Sequence, residues 1–489
     1  MARPLRTGFI AVAFLALAGC GTTVTGAPTS ATANGEGLTT GSASPTPVSV
    51  PTTNTSGDVG STLGTTNSVG QGDVNSSSAQ QGSGATGSTA RKLPPIQIGT
   101  YYLNGGNAAL AAAGFAGLVI PDNKPVFDAF VKYVNAHGGL GGRQIQPVYY
   151  EYNEGQDPQA QDAAACATFT QDHHVYLVIG GINSGAGELL PCLAKHNVPL
   201  FSAATQGDQR FFEQYHRYAY EPDELNLTSG LRLLVANLKQ RGYLANVHKV
   251  GLVQYPGAIY DHAVTDGLIP ALKSVGLALS DRLTTSSTTD NSAIASGATS
   301  AELRFSNEHI DLVLFLSPGG AAETYFMSNA QTQGYHPKYG IWSADSPYVL
   351  ATTAPKSQLA GSIGVGYLPG LDVAPAQDPT AQTPAAKSCL ALGQKMGLDE
   401  SGLGNALVRT TCDVVFTLQR AMAAAGATTN TASFEQAIDA IGAGFAPAST
   451  FGIDWVGGHH DAAAGYRNLA YNAGCSCFVY TGSTQVISE

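Results

Sequence analysis

The chain has 489 residues, 43% of them hydrophobic and only 12% charged, with a formal net charge of -11 at pH 7. So acidic a chain, without a basic cluster, is a poor binder of nucleic acid, which argues against that class. Its length is enough for two folded domains.

At the N-terminus Arg3 and Arg6 precede an apolar run from Gly8 to Leu17 and then Leu17-Ala18-Gly19-Cys20. This is the order of an export signal. The run is about ten residues, where a stable membrane-spanning helix needs roughly 20, so residues 1–19 are expected to be removed. The Leu-Ala-Gly-Cys string resembles the bacterial lipoprotein signal, which implies a lipid on Cys20 and a chain held on a membrane without crossing it. An ordinary secretory signal followed by a chance cysteine is the alternative. Residues 20–92 are rich in Thr, Ser and Gly, with no aromatic residue and no Lys or Arg between positions 21 and 90. Such a stretch buries too little apolar surface to offset its chain entropy, and reads as a disordered tether with a reach of roughly 45 Å.

From Leu93 onward, apolar runs alternate with glycine turns. Residues 95–102 read as a strand, Val126, Phe127, Phe130, Val131 and Val134 recur at helical spacing, and His137-Gly138 ends that helix. A strand ("GRQIQPVYYEYN"), a helix ("DPQAQDAAACATFTQD") and a strand ("VYLVIGG") follow. This βαβαβ order predicts an α/β fold with a mostly parallel sheet between helices. A second, similar series begins after Glu221-Pro222, with strands at "HKVGLVQYP", "LALSDRLT", "IDLVLFLSP" and "KYGIWSA". Two longer helices come after Pro347, and the residues around 465–480 alternate like a terminal hairpin.

Besides Cys20 there are six cysteines, an even number that suits an exported chain with disulfides. Nearness in sequence selects Cys166 with Cys192, Cys389 with Cys412, and Cys475 with Cys477. Closing the first of these loops contributes about 3.5 kcal/mol on the chain-entropy model. The third forms a small strained ring, so one of its cysteines crossing to another partner is the alternative. No Cys-x2-Cys pair accompanies them, which argues against zinc.

The segment "YVNAHGGLGGRQIQPVYYEYNEGQDPQAQDAAACATF", followed by a strand, a Ser-Gly loop, a helix, a Val-Pro-led strand and an Ala-Ala-Thr loop, resembles the branched-chain amino-acid type of periplasmic binding proteins. These are the type I substrate-binding components of ABC importers, and the likeness runs from about residue 95 to the end. It implies a two-lobed fold with three hinge crossings and a ligand cleft between the lobes. On this reading lobe one is 93–222 plus 348–448, and lobe two is 223–347 plus 449–489. The Cys166–Cys192 spacing resembles a disulfide of some family members.

The loop "VIGGINSGAG" (178–187) leaves a strand for a helix and presents unpaired N–H groups, a setting that suits an anion. It has neither the phosphate-binding glycine patterns nor the Gly-x-Ser-x-Gly of a nucleophile elbow, and a plain capped turn is the alternative. The resemblance implies that Ser184, with Ala203, Ala204 and Thr205 of the second loop, holds a ligand carboxylate. It places Asp345 nearest to the family's ammonium-binding acid, with Glu221, Asp223 and Glu224 as alternatives or as surface charges of the hinge. Tyr260 matches a family tyrosine, although Asp261 stands where a glycine is usual. Tyr101, Tyr102 and Phe115 belong to the first βα loop, where the family contacts ligand side chains.

The expected function is that of a lipid-anchored, extracytoplasmic solute-binding receptor, a monomer that hands a small polar ligand to an ABC permease. An amino acid or related amide or carboxylate is favoured; a sugar, nucleoside or aromatic compound is the alternative, since 21 tyrosines supply stacking platforms. No cofactor, metal or catalysis is expected. A ligand sensor or cell-wall interaction lipoprotein on the same scaffold is the second class. A hydrolase is the third: His173-His174 and His459-His460-Asp461 offer acid-base groups but no partner at ligand spacing, and read as surface histidines.

Overall fold

Strands that are apolar along their whole length must be covered on both faces, and the chain supplies helices between them to do so. The computed structural model describes residues 93–112, 119–153, 156–180, 187–202, 207–426, 430–455, 458 and 460–487. All fall in one compact unit, Gly87–Glu489. Cys20 and the tether lie outside the described residues. Among those residues no helix is long and apolar enough to cross a membrane.

Two sheets organise the unit. The first contains β1 (Ile96–Asn104), β2 (Ile145–Asn153), β3 (Leu177–Ile179), β4 (Leu200–Phe201) and β5 (Ala219–Tyr220), parallel throughout and ordered β2-β1-β3-β4-β5. The second contains β6 (Val250–Gln254), β7 (Leu279–Thr284), β8 (Leu312–Leu316), β9 (Lys338–Trp342), β10 (Ile363–Gly366), β11 (Gly465–Asn472) and β12 (Cys477–Val486). Its order is β12-β11-β10-β9-β8-β6-β7, parallel except for the terminal hairpin. Every residue of β6 and β8 is buried.

Local chemistry places the helices. Asp157 caps Pro158–Ala167 by accepting from Ala160 N at 2.7 Å, with Pro158 in the first turn where its missing N–H costs nothing. Helix Asn123–Ala136 buries the five apolar residues expected of it, and Gly138 leaves it at φ +100°. All three expected disulfides are present: Cys166–Cys192, Cys389–Cys412 and Cys475–Cys477.

Strand β10 corrects the domain boundaries. Residues 348–366 were expected in lobe one, yet Ile363–Gly366 pairs with β9 and β11 in the second sheet. Leu350, Leu359, Tyr367 and Val373 pack in that sheet's core, whereas Ala386 onward joins the first. Two glycines in four residues hid the strand, and Gly364 is needed there because a Cβ would overlap the Ile341 carbonyl oxygen. The third crossing also falls later than residue 448, since Ile453, Trp455 and Ala462 pack in the first core and Ala463 in the second.

The crossings themselves are stitched together. Glu221 N donates to His460 O (2.7 Å), Ala462 N to Glu221 O (2.8 Å) and Ala463 N to Glu224 O (3.0 Å). Asp461 Oδ2 accepts from Asn226 N (2.7 Å) and Nδ2 (2.8 Å). Glu221, Asp223 and Glu224 are therefore buried, not surface charges of the hinge. His460 is likewise buried, stacked on Tyr220 with ring centroids 4.5 Å apart and its nitrogens facing His216 O and Asp439 Oδ1. The sequence hid this because its neighbours are small or polar, and its partners lie far away in the chain. His173 and His174 are exposed as expected, and His459 lies outside the described residues.

Burial pushes several carboxyls at this junction upward: Asp223 to about 6, Asp413 to about 7, Asp372 to about 8, and Glu224 well above its usual range. Hydrogen bonds from Thr410 and Ser449 to Asp223, and from Ser449, Ala448 N and Ser449 N to Asp413, oppose the rise but do not cancel it. Each group holds its proton more tightly folded than unfolded. The stability this contributes is complete below about pH 4 and is lost as pH rises through these values.

Two outcomes are expected. The thermal midpoint should fall by several degrees between about pH 5 and about pH 8, and Asp223→Asn should flatten that slope; a midpoint that rises over the interval would mean these acids fold ionised. Gly230→Ala should cost about 1–3 kcal/mol in denaturant unfolding, because the added Cβ overlaps the buried Trp342 ring. Unchanged stability would show that the ring can move aside.

Candidate functional site

In an open α/β sheet, polar groups collect at the carboxyl ends of the strands, where the chain turns into helices and leaves backbone N–H groups unpaired. In the first sheet this edge carries Tyr101, Gly180 and Ser202. Gly180 N donates to Phe201 O (2.8 Å) and Ser202 N to Tyr220 O (2.9 Å), which sets the ends of β3 and β4 side by side. A Cβ on Gly180 would lie 2.6 Å from the Tyr101 hydroxyl and 2.7 Å from Ser202 Oγ, so two hydroxyls converge on that glycine. Tyr101 also stacks edge-on against Tyr152 (5.3 Å between centroids), and Tyr152 against Tyr150 (5.1 Å). Asn123 Nδ2 donates to Tyr101 O (2.8 Å) and holds the strand end in place. Tyr102 instead donates to Glu151 at 2.8 Å.

Ser184, Ala203, Ala204, Thr205 and Phe115 lie outside the described residues. The chain enters the segments 181–186 and 203–206 directly from Gly180 and Ser202.

The second sheet's carboxyl edge carries Tyr255 after β6, Ser317 after β8, Asp345 after β9 and Tyr367 after β10. Tyr260, on the short helix Ala258–His262 behind Gly257, is buried edge-on against Tyr255 at 6.0 Å. Asp345 is fully buried, and its Oδ2 accepts from Trp342 N (3.1 Å). Glu323 Oε1 accepts from Ser317 Oγ at 2.8 Å. Desolvation raises both acids, and the proximity of Glu323 raises Asp345 further. Glu323, Ser317 and Tyr255 were not singled out on sequence. The available signal was position: each lies at or just beyond the end of a parallel strand of lobe two.

The lobes touch beside these edges. Asp208 Oδ2 lies 3.1 Å from His262 Nδ1, and Arg210 makes a two-pronged ion pair with Asp266 at 2.7 and 2.9 Å. Leu227 N donates to Gly207 O (2.9 Å) and Gln209 N to Thr228 Oγ1 (3.3 Å). Burial pushes Asp208 upward against the pull of Phe211 N and His262. A recess of about 310 Å³ lies apart from the strand ends, lined by Thr380, Phe451, Arg467 and Thr484 among others. Cys166, Cys192 and His196 come within 4.8 Å of one another, but the two sulfurs are bonded together and offer no thiolate to a metal.

The architecture has known counterparts. A substrate-binding protein from Desulfitobacterium hafniense in complex with Leu superposes with a TM-score of 0.54 at 13% identity, over 79% of this chain and 100% of that one. A branched-chain amino-acid ABC transporter protein from Thermus thermophilus with bound valine gives 0.56 at 15%, over 81% and 97%. A solute-binding protein from R. palustris in complex with 4-hydroxybenzoate gives 0.57 at 15%, over 80% and 97%. At such identities the likeness shows the fold. No curated protein sequence matches the chain. The family model described as periplasmic binding protein matches residues 110–469, which takes in most of both sheets but not β1 or β12. With about three quarters of its length covered by that model, the chain belongs to the periplasmic binding protein family.

Proposed function

We propose that the protein is a lipid-anchored, extracytoplasmic solute-binding receptor of an ABC importer, which captures a small polar ligand between its lobes without catalysis, metal or cofactor. The observation that carries this reading is that polar groups gather at the carboxyl ends of both sheets: hydroxyls of Tyr101 and Ser202 in the first, and the acids Asp345 and Glu323 with Ser317 in the second. An amino acid suits that polarity. Its carboxylate is assigned to Ser184, Ala203, Ala204 and Thr205, and its ammonium to the Asp345 side, with Tyr101 and Tyr260 flanking. The lipid on Cys20 and the tether behind it keep the receptor near its permease. An aromatic carboxylate is the second reading, favoured by the edge-to-face series Tyr101, Tyr152 and Tyr150 at the lobe-one edge.

Thermal unfolding of the purified protein, stripped of any carried ligand by unfolding and refolding, tests this against amino acids, amides, aromatic acids, sugars and nucleosides. A ligand at about 100 times its Kd adds about 2.7 kcal/mol and raises the midpoint. A shift with one chemical class supports the receptor; no shift with any class favours a sensor or cell-wall interaction protein. Ser184→Ala should weaken an amino-acid or aromatic-acid ligand roughly tenfold to a hundredfold, and an unchanged Kd would remove that serine from the site. Arg210→Ala should weaken binding by no more than about fivefold, since its ion pair with Asp266 is exposed to water. A much larger loss would make that pair part of the closure itself.

A further inference from the structure

Strands β11 and β12 end their ladder at the pair Asn472 and Cys477, and the turn between them carries a disulfide that closes over a single residue, Ser476. The ladder shows which way this turn points. β11 runs antiparallel to β10, with Arg467 opposite Gly366 and Ala470 opposite Ile363, so Asn472 lies past the first residue of β10. The turn therefore projects from the amino-end edge of the second sheet, opposite the carboxyl edge that carries Ser317 and Asp345.

Exposure separates this bridge from the other two. Cys475 is exposed and Cys477 half-buried, and neither packs into an apolar core, whereas Cys166, Cys389 and Cys412 are at most 2% exposed. Cys192 is half-buried, but a thiolate attacking it would expel the Cys166 sulfur as an anion into the core of Phe169 and Leu193, where burial opposes the charge. Local backbone separates it further. Ser476 is held at φ +53°, a conformation that a residue with a Cβ disfavours, and the bond spans that residue, so breaking it lets the backbone relax. The turn keeps other supports: Gly474 N donates to Asn472 Oδ1 (2.8 Å), and the β11–β12 ladder holds the chain on both sides. Cys475 Sγ lies 3.6 Å from Asn472 O, which gives a thiol at this position an acceptor. Exposed disulfides over a constrained backbone are the ones that exchange with thiols.

We propose that Cys475–Cys477 is a thiol-exchange site, an oxidant for dithiols that acts apart from the ligand cleft while the two buried bridges stay closed. A thiolate of the dithiol attacks Cys475 Sγ, the more exposed sulfur. The S–S bond breaks, and Cys477 leaves as a thiolate that takes a proton from water. The second thiolate of the dithiol then attacks the dithiol's own sulfur in the mixed disulfide, and Cys475 leaves in the same way. The protein gains two electrons and two protons, the dithiol becomes a disulfide, and no further co-reactant enters. This site does not depend on the receptor reading.

The test is brief treatment of the folded, purified protein with dithiothreitol, followed by acid quenching, alkylation and peptide mapping by mass spectrometry. Cys475 and Cys477 should take up label at least about tenfold faster than Cys166, Cys192, Cys389 and Cys412, with the near-ultraviolet circular dichroism unchanged. About one oxidised dithiothreitol should appear per chain in that phase, and none with the double variant Cys475→Ser, Cys477→Ser, whose two buried bridges remain. Labelling of all three pairs at one rate, or of a buried pair first, overturns the proposal. The single variants find the attacked sulfur. With oxidised glutathione, the Cys475 thiol of Cys477→Ser should form a mixed disulfide several-fold faster than the Cys477 thiol of Cys475→Ser, and equal or reversed rates overturn the assignment of Cys475.

Discussion

Three backbone hydrogen bonds and one carboxylate join the first chain crossing to the third, and the geometry of the cleft depends on them. Glu221 and Glu224 exchange N–H and C=O bonds with residues 460 to 463, while Asp461 accepts both the backbone and side-chain N–H groups of Asn226. Asn226 in turn caps the helix Leu227–Gln240, the first helix of lobe two. The hinge is thus a short parallel ribbon continuous with a helix cap.

The cost of this junction is the burial of acids. Water is excluded where the chain crosses, so Asp223, Glu224 and Asp372 keep their protons to higher pH than exposed carboxyls do. Hydroxyl and amide donors, such as Thr410 to Asp223 and Ser343 to Asp372, hold them in place without supplying a charge. The same pattern continues along the lobe-two edge through Tyr367 to Asp345 and Glu323. A line of buried acceptors raised in pKa thus runs from the hinge to the lobe-two edge, which makes folding stability there depend on the proton.

Much of the fold was legible in the sequence. Strands β6 and β8 stand out as uninterrupted apolar runs, and helix Asn123–Ala136 by the spacing of Val126, Phe127, Phe130, Val131 and Val134. The cysteine pairs were legible by nearness, because each bridges adjacent helices or a single turn. Strand β10 was not, because two glycines in four residues carry no period, and its membership is decided by pairing with β9 and β11. Of the candidate site, Tyr101, Tyr260 and Asp345 were named only through the family resemblance. Glu323 could not be named, since an acid in the first turn of a helix reads as a favourable exposed charge.

What the sequence by itself determined is what is local: periodicity, caps, turns, and the alternation that makes both lobes α/β. What only the tertiary structure decided is the environment of each polar group. Asn226 and Asp461 are 235 positions apart, and His460 is enclosed by Tyr220, His216 and Asp439, so no window of sequence contains the reason for their burial. Protonation and pairing follow from that enclosure, because the energy of a charge depends on the solvent it has lost and the groups that replace it.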